Sequence, residues 1–470
     1  MLRDRLISIA LLLGLCAASH GLVNRFAHAQ SVDFVDQRPF VIGMMPVVRG
    51  GAVGGVAVNA RGEIDRAQQR DVDALRAARQ EALPGAAGDV AAASQLRKVS
   101  LRRLDAALAR HATQGQPLTP ELQHLAGLQR VEYVFAYPES GDIVLAGPAE
   151  PWTVDDAGQV VGVHSALATM ELVDLVAALR TIDRLLAGEM ISCSIDPTPE
   201  GLQRFARLMR AGRASPSDQL LARMEQAVGP QAITLTGIAP DSHFAHVLVA
   251  ADWQMKRLGM GLVESPVAGL ASYLELLNEN GATPRNAMPR WWIAYGDQPA
   301  ERDDAGLAWR LSRPGLQVCT AASRLDANGR AAFASRDVES DPTARQWADD
   351  MTAQYDRLAL VEPVFAQLRG CMDLALVTAV LASEDMLTRV GLELPMLLDE
   401  SRLQLAARQV PQKVASQASA IRTRRGWVVS VSGGVELDVG RAVNDATVNP
   451  EVSNWRQAAA PPESTSWWWD

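Results

Sequence analysis

The chain has 470 residues, of which 48% are apolar and 21% charged, with a formal net charge of −9. That apolar content is ample for two or three hydrophobic cores. The acidic balance argues against a general nucleic-acid binder, which needs a cationic footprint.

The chain opens on a targeting pattern. MLRDR is short and basic, and Leu6 to Ala18 is an apolar run of signal-peptide length, too short to span a bilayer comfortably. Ala27-His28-Ala29 supplies a small-x-small cleavage pattern, so residues 1–29 are expected to be a signal peptide cut before Gln30. Leu15, not a small residue, precedes Cys16, which argues against a lipid anchor; an uncleaved anchor is the other reading. The expected location is therefore exported, periplasmic or extracellular. Loss of Arg3, Arg5, Arg25 and Asp4 leaves the remainder acidic. No later stretch reaches the roughly 18–20 apolar residues of a membrane span. Cys193, Cys319 and Cys371 have no zinc-like spacing and permit at most one disulfide; Cys319, in an apolar strand-like run, and Cys371, opening an apolar helix, read as small buried hydrophobes.

In chain order, Gly50 to Ile64 reads as a strand, a turn at Ala60-Arg61-Gly62 and a further strand or helix start. Gly50 and Gly55 have phosphate-loop spacing, but Val56-Ala57 stand where Lys and Ser or Thr are required. Ile64–Leu83 and Ser94–Thr113 read as helices, the second with Leu96, Leu101, Leu104 and Leu108 inward and Arg97, Arg102, Arg103 and Arg110 on a solvated face. Val131–Tyr137 and Asp142–Ala146 flank Pro138-Glu139-Ser140-Gly141, the strongest hairpin signal in the chain. Met170–Arg184 is a helix by its apolar stripe, Met190–Ile195 a strand, and Thr198 caps a helix running through Arg210. Ser217–Val228 is a helix and Gln231–Ile238 a strand.

Pro289–Asp297, Leu307–Ser312 and Leu316–Ala321 read as an antiparallel meander. Asp341-Pro342 starts a helical region, and Pro363 breaks the very apolar stretch Trp347–Met386. Trp427–Val439 is one long strand or a hairpin turning at Gly433-Gly434. The expected fold class is α+β (mixed α/β), with several helices packed on mixed or antiparallel sheets and a disordered C-terminal tail. The regions are a signal peptide (1–29), a helical region with a hairpin (30–150), an α/β region (151–280), the meander with core helices and a C-terminal strand pair (281–445), and the tail (446–470).

HFAHVLVAADWQMKRLGMG, from His243 to Gly261, concentrates chemistry-bearing side chains. On a helix from Ser242 to Leu258 capped by Asp241, residues Phe244, Val247, Leu248, Ala251, Met255 and Leu258 form one apolar stripe. Asp252 and Lys256 then make a surface i,i+4 pair, with His246, Trp253 and Arg257 on the opposite face. His243 and His246 are three apart, but HExxH is absent and no third ligand is evident, so no metal or cofactor is expected. No GxSxG occurs, which disfavours an α/β-hydrolase.

VLVAADWQMKRLGMGL, PRWWIAYGD with GLAWRL and GLQV behind it, WADDMTAQYDRLALVEPVFAQLRGCMDLA and GGVAVNARGEI together resemble a family of exported planctomycete proteins classed as a domain of unknown function. The resemblance implies export and a bacterial source, and carries over no catalytic residue.

With no complete catalytic motif, the expected function is non-catalytic binding or cell-envelope interaction, with an unidentified macromolecular or envelope partner. Trp467, Trp468 and Trp469 form a candidate contact site in the tail. The alternative is an envelope hydrolase assembled from distant residues, with His243, His246 and Asp252 as first candidates.

Overall fold

A computed structural model describes residues 39–43, 52–86, 88–211, 218–282, 289–311, 315–321, 323–325, 331–333, 341–417 and 432–460. The expected signal peptide and Trp467–Trp469 lie outside the described residues. The fold is mixed, with helices packed on two large sheets.

The hairpin forms as its turn residues require. Gly141 adopts a left-handed φ of 61°, and Tyr133–Tyr137 pairs antiparallel with Asp142–Ala149, Tyr137 opposite Asp142 and Tyr133 opposite Ala146. Both strands are buried on both faces. Val134, Ala136, Ile143 and Leu145 join the main core, whereas Tyr133, Phe135, Tyr137 and Val144 form a second cluster under the helix Glu451–Ala458. Trp455 covers Tyr133 with ring centroids 5.7 Å apart, and the Tyr137 hydroxyl donates to the Arg456 carbonyl at 2.8 Å. The expected tail is therefore ordered through this helix, because it seals an apolar sheet face that would otherwise meet water.

The hairpin belongs to a six-stranded sheet in the spatial order Thr447–Val448, Glu301–Arg302, Ala308–Arg310, Tyr133–Tyr137, Asp142–Ala149, Ser94–Ser100. The larger sheet runs Leu316–Ala321, Arg290–Tyr295, Ser432–Leu437, Ile191–Pro197, Gln231–Thr236, Lys413–Val414, Glu63–Arg66, Val56–Val58. The helix His243–Gly259 packs on the larger sheet and touches the helices Leu172–Leu179 and Pro363–Ser383. Pro363–Ser383 is long and apolar enough to cross a membrane by length and composition, but 94% of its most apolar window is buried in the core. Arg130 ties it to the hairpin, donating twice to Asp373 at 2.9 and 2.8 Å.

Several expectations are corrected. Ser94–Ser100 is a strand, and the helix begins only at Leu101 with Ser100 as its cap, accepting from the Arg103 N–H at 3.1 Å. Pairing with Asp142–Ala149 outweighs the helical spacing of the leucines, and it buries Arg97, which a helix would have left on a wet face. Ile64 sits in the strand Glu63–Arg66, so the first long helix starts at Gln69. Met170–Arg184 breaks into Leu172–Leu179 and Ile182–Leu186. The meander divides: Arg290–Tyr295 and Leu316–Ala321 pair in the larger sheet, while Ala308–Arg310 pairs with the hairpin in the smaller one.

Gly433-Gly434 is not a turn. Both residues lie inside Ser432–Leu437, a strand squeezed between Arg290–Tyr295 and Ile191–Pro197. A Cβ at Gly433 would fall on the Trp291 carbonyl oxygen and one at Gly434 on that of Cys193, so only glycine admits this approach. Residues 427–431 of the expected strand lie outside the described residues.

Candidate functional site

The 17-residue helix His243–Gly259 confirms the helical reading of the richest stretch but not its wet face, since fifteen of its residues are buried. Its cap is Ser242, which accepts from the Ala245 N–H at 3.1 Å; Asp241 instead offers its carbonyl to the Arg408 N–H at 2.9 Å. Trp253 is buried and carries the Arg257 guanidinium 4.4 Å above its ring.

Asp252 and Lys256 are a buried pair, not a surface one. Lys256 Nζ donates to Asp252 at 2.8 Å, to the Ile195 carbonyl at 2.8 Å and to the Gly433 carbonyl at 3.1 Å. Burial pushes Asp252 up to about 6 against the opposing pull of Lys256. The pair clamps the helix to two strands. Asp252 stands nine residues from His243, about 13 Å along the helix axis, so the three first candidates do not form one site.

His243, at the first helical position, does border a cavity of about 410 Å³. Six separate segments supply its lining. Phe40–Ile42 pairs in parallel with Leu403–Leu405, and this two-stranded ribbon makes one apolar wall. The loop at Pro117-Leu118, Leu83 at the end of the first long helix, and Leu172-Val173 extend it. Polar groups converge on the rest: Arg79, His124, Glu171, His243 and Arg408.

These groups are interlocked. Arg79 is buried; it donates to the Gly158 carbonyl at 2.7 Å and to Gln159 Oε1 at 3.2 Å, and reaches Glu171 Oε1 at 3.5 Å. His243 Nδ1 lies 3.0 and 2.9 Å from the two oxygens of Asp174 and 3.9 Å from Glu171 Oε2. Asp174 stands behind His243, outside the cavity lining. Glu171 caps the helix Leu172–Leu179 and Asp174 lies in its first turn, where the helix dipole favours anions.

Burial opposes the ionisation of Glu171, but His243 and Arg79, with His124 and Arg408, outweigh it and hold its carboxyl below the usual range. Asp174 is raised, chiefly by burial, with His243 pulling the other way. Burial, reinforced by Arg79 and resisted by Glu171, pushes His124 down to about 4. His246 falls to about 3 through burial and the charges of Arg408 and His243. Its Nε2 is 3.0 Å from the Gln409 carbonyl, an acceptor only, so that nitrogen carries the proton. His246 thus fixes the segment bearing Arg408, and does not act on the cavity itself.

Glu171, Asp174 and His243 offer ligand atoms all within 4.8 Å of one another, a spacing a cation could use. The surrounding charge opposes it: Arg79 already engages Glu171, and both Arg79 and Arg408 face the same space. Among the described lining residues there is no Ser, Thr, Cys, Tyr or Lys, so no side-chain hydroxyl, thiol or amine stands ready as a nucleophile. The Cys193 thiol is buried away from the cavity, whereas that of Cys371 lines a small adjoining space of about 10 Å³ with Glu171, Asp174 and His243 and not the cavity itself; burial pushes both thiols well up.

Sequence reasoning located His243 but missed Arg79, His124, Glu171, Asp174 and Arg408. Asp174 carried a readable signal: it is a carboxylate inside the apolar stripe of Leu172, Leu175, Val176 and Leu179. Arg408 sits in an irregular polar segment with no periodicity to mark it.

Fold and site together define a mixed α/β protein with a cavity at the N-terminal ends of two core helices. Residues 193–273 match the family described as a protein of unknown function, DUF1598. That segment contains the His243 helix, whereas the rest of the cavity lining lies outside it. No curated protein and no solved structure matches the chain.

Proposed function

We propose that this is an exported binding protein that holds a small molecule in the cavity beside His243. The observation that carries the reading is a space of about 410 Å³ with an apolar wall on one side and Arg79, Glu171 and His243 on the other, with no side-chain hydroxyl, thiol or amine on its described lining. Small-ligand sites are typically cavities of about 300–1,000 Å³, mostly apolar, with a few convergent polar groups. Export is supported by the basic opening, apolar run and AHA pattern of residues 1–29, and by the resemblance to exported planctomycete proteins. Export would place its ligand in the periplasm or outside the cell.

The hydrolase alternative has one observation in its favour. A carboxylate-oriented imidazole, as in Asp174–His243, is the arrangement a general base uses. It lacks a nucleophilic partner among the described lining residues, which makes binding the better reading.

A thermal-shift screen of the full chain tests the proposal, using small carboxylates, sugars, cell-wall fragments and divalent cations against the wild type and Leu405→Trp. Leu405 lines the cavity, so the larger ring occupies it. The expected result is a small-molecule hit that raises Tm in the wild type and is lost in a variant that still melts cooperatively. Hits untouched by Leu405→Trp, or no hits, overturn the proposal. A cation-only hit lost in Asp174→Asn replaces it with a metal site.

A further inference from the structure

We infer that a second cavity, beside the edge strand Leu316–Ala321 of the larger sheet, takes a small organic cation, an ammonium group on an apolar stem, against Trp292. This cavity shares no lining residue with the one beside His243, so the inference is independent of the binding proposal. Its volume is about 330 Å³, within the range of small-ligand sites.

Trp292 supplies an aromatic surface. Along Arg290–Tyr295, Trp291 and Ile293 enter the main core, while Trp292 points to the opposite face of the sheet. The indole is only 9% exposed, yet it joins none of the hydrophobic clusters and, among the described residues, meets no other ring and no hydrogen-bond acceptor. Its neighbour on the strand Ser432–Leu437 is Gly434, which puts no side chain beside the ring. Core packing does not account for a large buried ring that belongs to no core; the cavity it lines does.

Charge then selects the ligand. Asp297, Glu436, Asp438 and Asp445 line the cavity, and Arg441 is the one cationic side chain on its described lining. These groups are engaged within the fold. Arg441 reaches Asp297 at 3.4 Å and Asp445 at 3.7 Å, and its backbone N–H donates to Asp438 at 3.0 Å. Glu436 meets Arg290 at 3.6 Å, and Arg290 also meets Asp196 at 3.2 Å. Pairing does not cancel the field, because five carboxylates share two guanidinium groups, which leaves an excess of three negative charges among these residues. A cleft lined by one sign of charge concentrates the opposite ion, and tryptophan is the aromatic side chain that attracts a cation best. An anion meets repulsion here, an uncharged ligand uses the indole alone, and a bare metal ion uses the carboxylates alone. An organic cation uses both.

Isothermal titration of the full chain with phenethylammonium, 2-phenylethanol and 3-phenylpropanoate separates the contributions, because the three share a body and differ in the head. Phenethylammonium is expected to bind at least about tenfold tighter than 2-phenylethanol, with the carboxylate weakest, and the preference is expected to shrink between about 0.01 M and about 1 M salt. Trp292→Leu is expected to weaken the amine about fivefold or more. Asp297→Asn combined with Asp445→Asn is expected to bring it down toward the alcohol. Arg441→Gln is expected to tighten it by about two- to threefold, a gain that a damaged fold does not produce. Leu405→Trp, in the other cavity, is expected to change nothing.

Equal binding of the amine and the alcohol overturns the inference, as does tightest binding by the carboxylate, which would make Arg441 the reading group. Amine binding abolished by Leu405→Trp and untouched by Trp292→Leu places the ligand beside His243 and overturns it too. Displacement of the amine by calcium, with Trp292→Leu silent, replaces it with a metal site. Binding by none of the three refutes it and leaves the His243 proposal standing. Should Trp292→Leu fail to fold, Arg441→Gln decides the matter: no gain in amine affinity means that the charge of the lining does not read the ligand.

Discussion

Acidification from pH 7 to pH 5 is expected to destabilise the protein through two buried histidines. His124 and His246 stand at about 4 and about 3 in the fold, against an ordinary value of 6.5. Between those limits the unfolded chain binds protons that the folded chain refuses, so stability falls as pH falls through 6.5 toward 4 and 3. Each histidine costs about 1.4 kcal/mol per pH unit over that window, hence about 2 kcal/mol at pH 5 and about 4 kcal/mol for the two. Asp252 works in the opposite sense. Its folded value of about 6 exceeds its ordinary 3.8, so its cost to the fold builds up between those values and is complete above pH 6, and about 1.3 kcal/mol returns as pH falls from 7 to 5. The net from these three groups is a loss of about 2–3 kcal/mol. Urea unfolding at pH 7 and pH 5 measures it, and His246→Gln isolates one contributor, because the glutamine amide can keep the bond to the Gln409 carbonyl. The variant is expected to lose about 2 kcal/mol less than the wild type over that interval. If both lose the same amount, His246 is not held neutral by its surroundings.

Two further perturbations test the framework that positions the site. Lys256→Met removes the donor to Asp252, Ile195 and Gly433 and strands a carboxylate in the core; a loss of about 3–5 kcal/mol is expected in urea unfolding. A loss below about 1 kcal/mol would show that the pair is hydrated and does not clamp the helix. Gly433→Ala places a methyl group on the Trp291 carbonyl and is expected to cost about 3 kcal/mol or more, or to leave no cooperative melt. A normal melt would mean that the strand Ser432–Leu437 does not run so close to its neighbour.

Where local pattern and tertiary demand agree, the fold was legible. The stripe from Phe244 to Leu258 made a helix, the Pro138–Gly141 turn made a hairpin, and Pro363 divided two helices, because each depends on spacing or on one residue's backbone chemistry. The failures share a physical cause. Ser94–Ser100 carries leucines at helical spacing, yet a strand partner about fifty residues later in the chain decides its state. Ala308–Arg310 leaves the expected meander because the hairpin edge is available to it. Lys256 was read as exposed because lysine usually is; its burial depends on carbonyls contributed by Ile195 and Gly433, and the second lies 177 residues away.

The cavity was hidden for the same reason in a stronger form. Arg79 meets Gly158 and Glu171 across 79 and 92 residues of chain, and His243 meets Asp174 across 69, so no window of sequence holds two of these partners together. One local rule could have pointed there. A carboxylate within an apolar helical stripe is costly to bury unless something cationic or hydrogen-bonding waits for it. Asp174 meets that condition, and Glu171 precedes it by one turn at the cap. The helix Leu172–Leu179 therefore declares in its own residues that its first turn faces a polar interior. His243 opens a second helix against that turn, so two positive helix ends converge with Arg79 and Arg408 on one space. Glu171 and Asp174 offset the helix ends from within the fold.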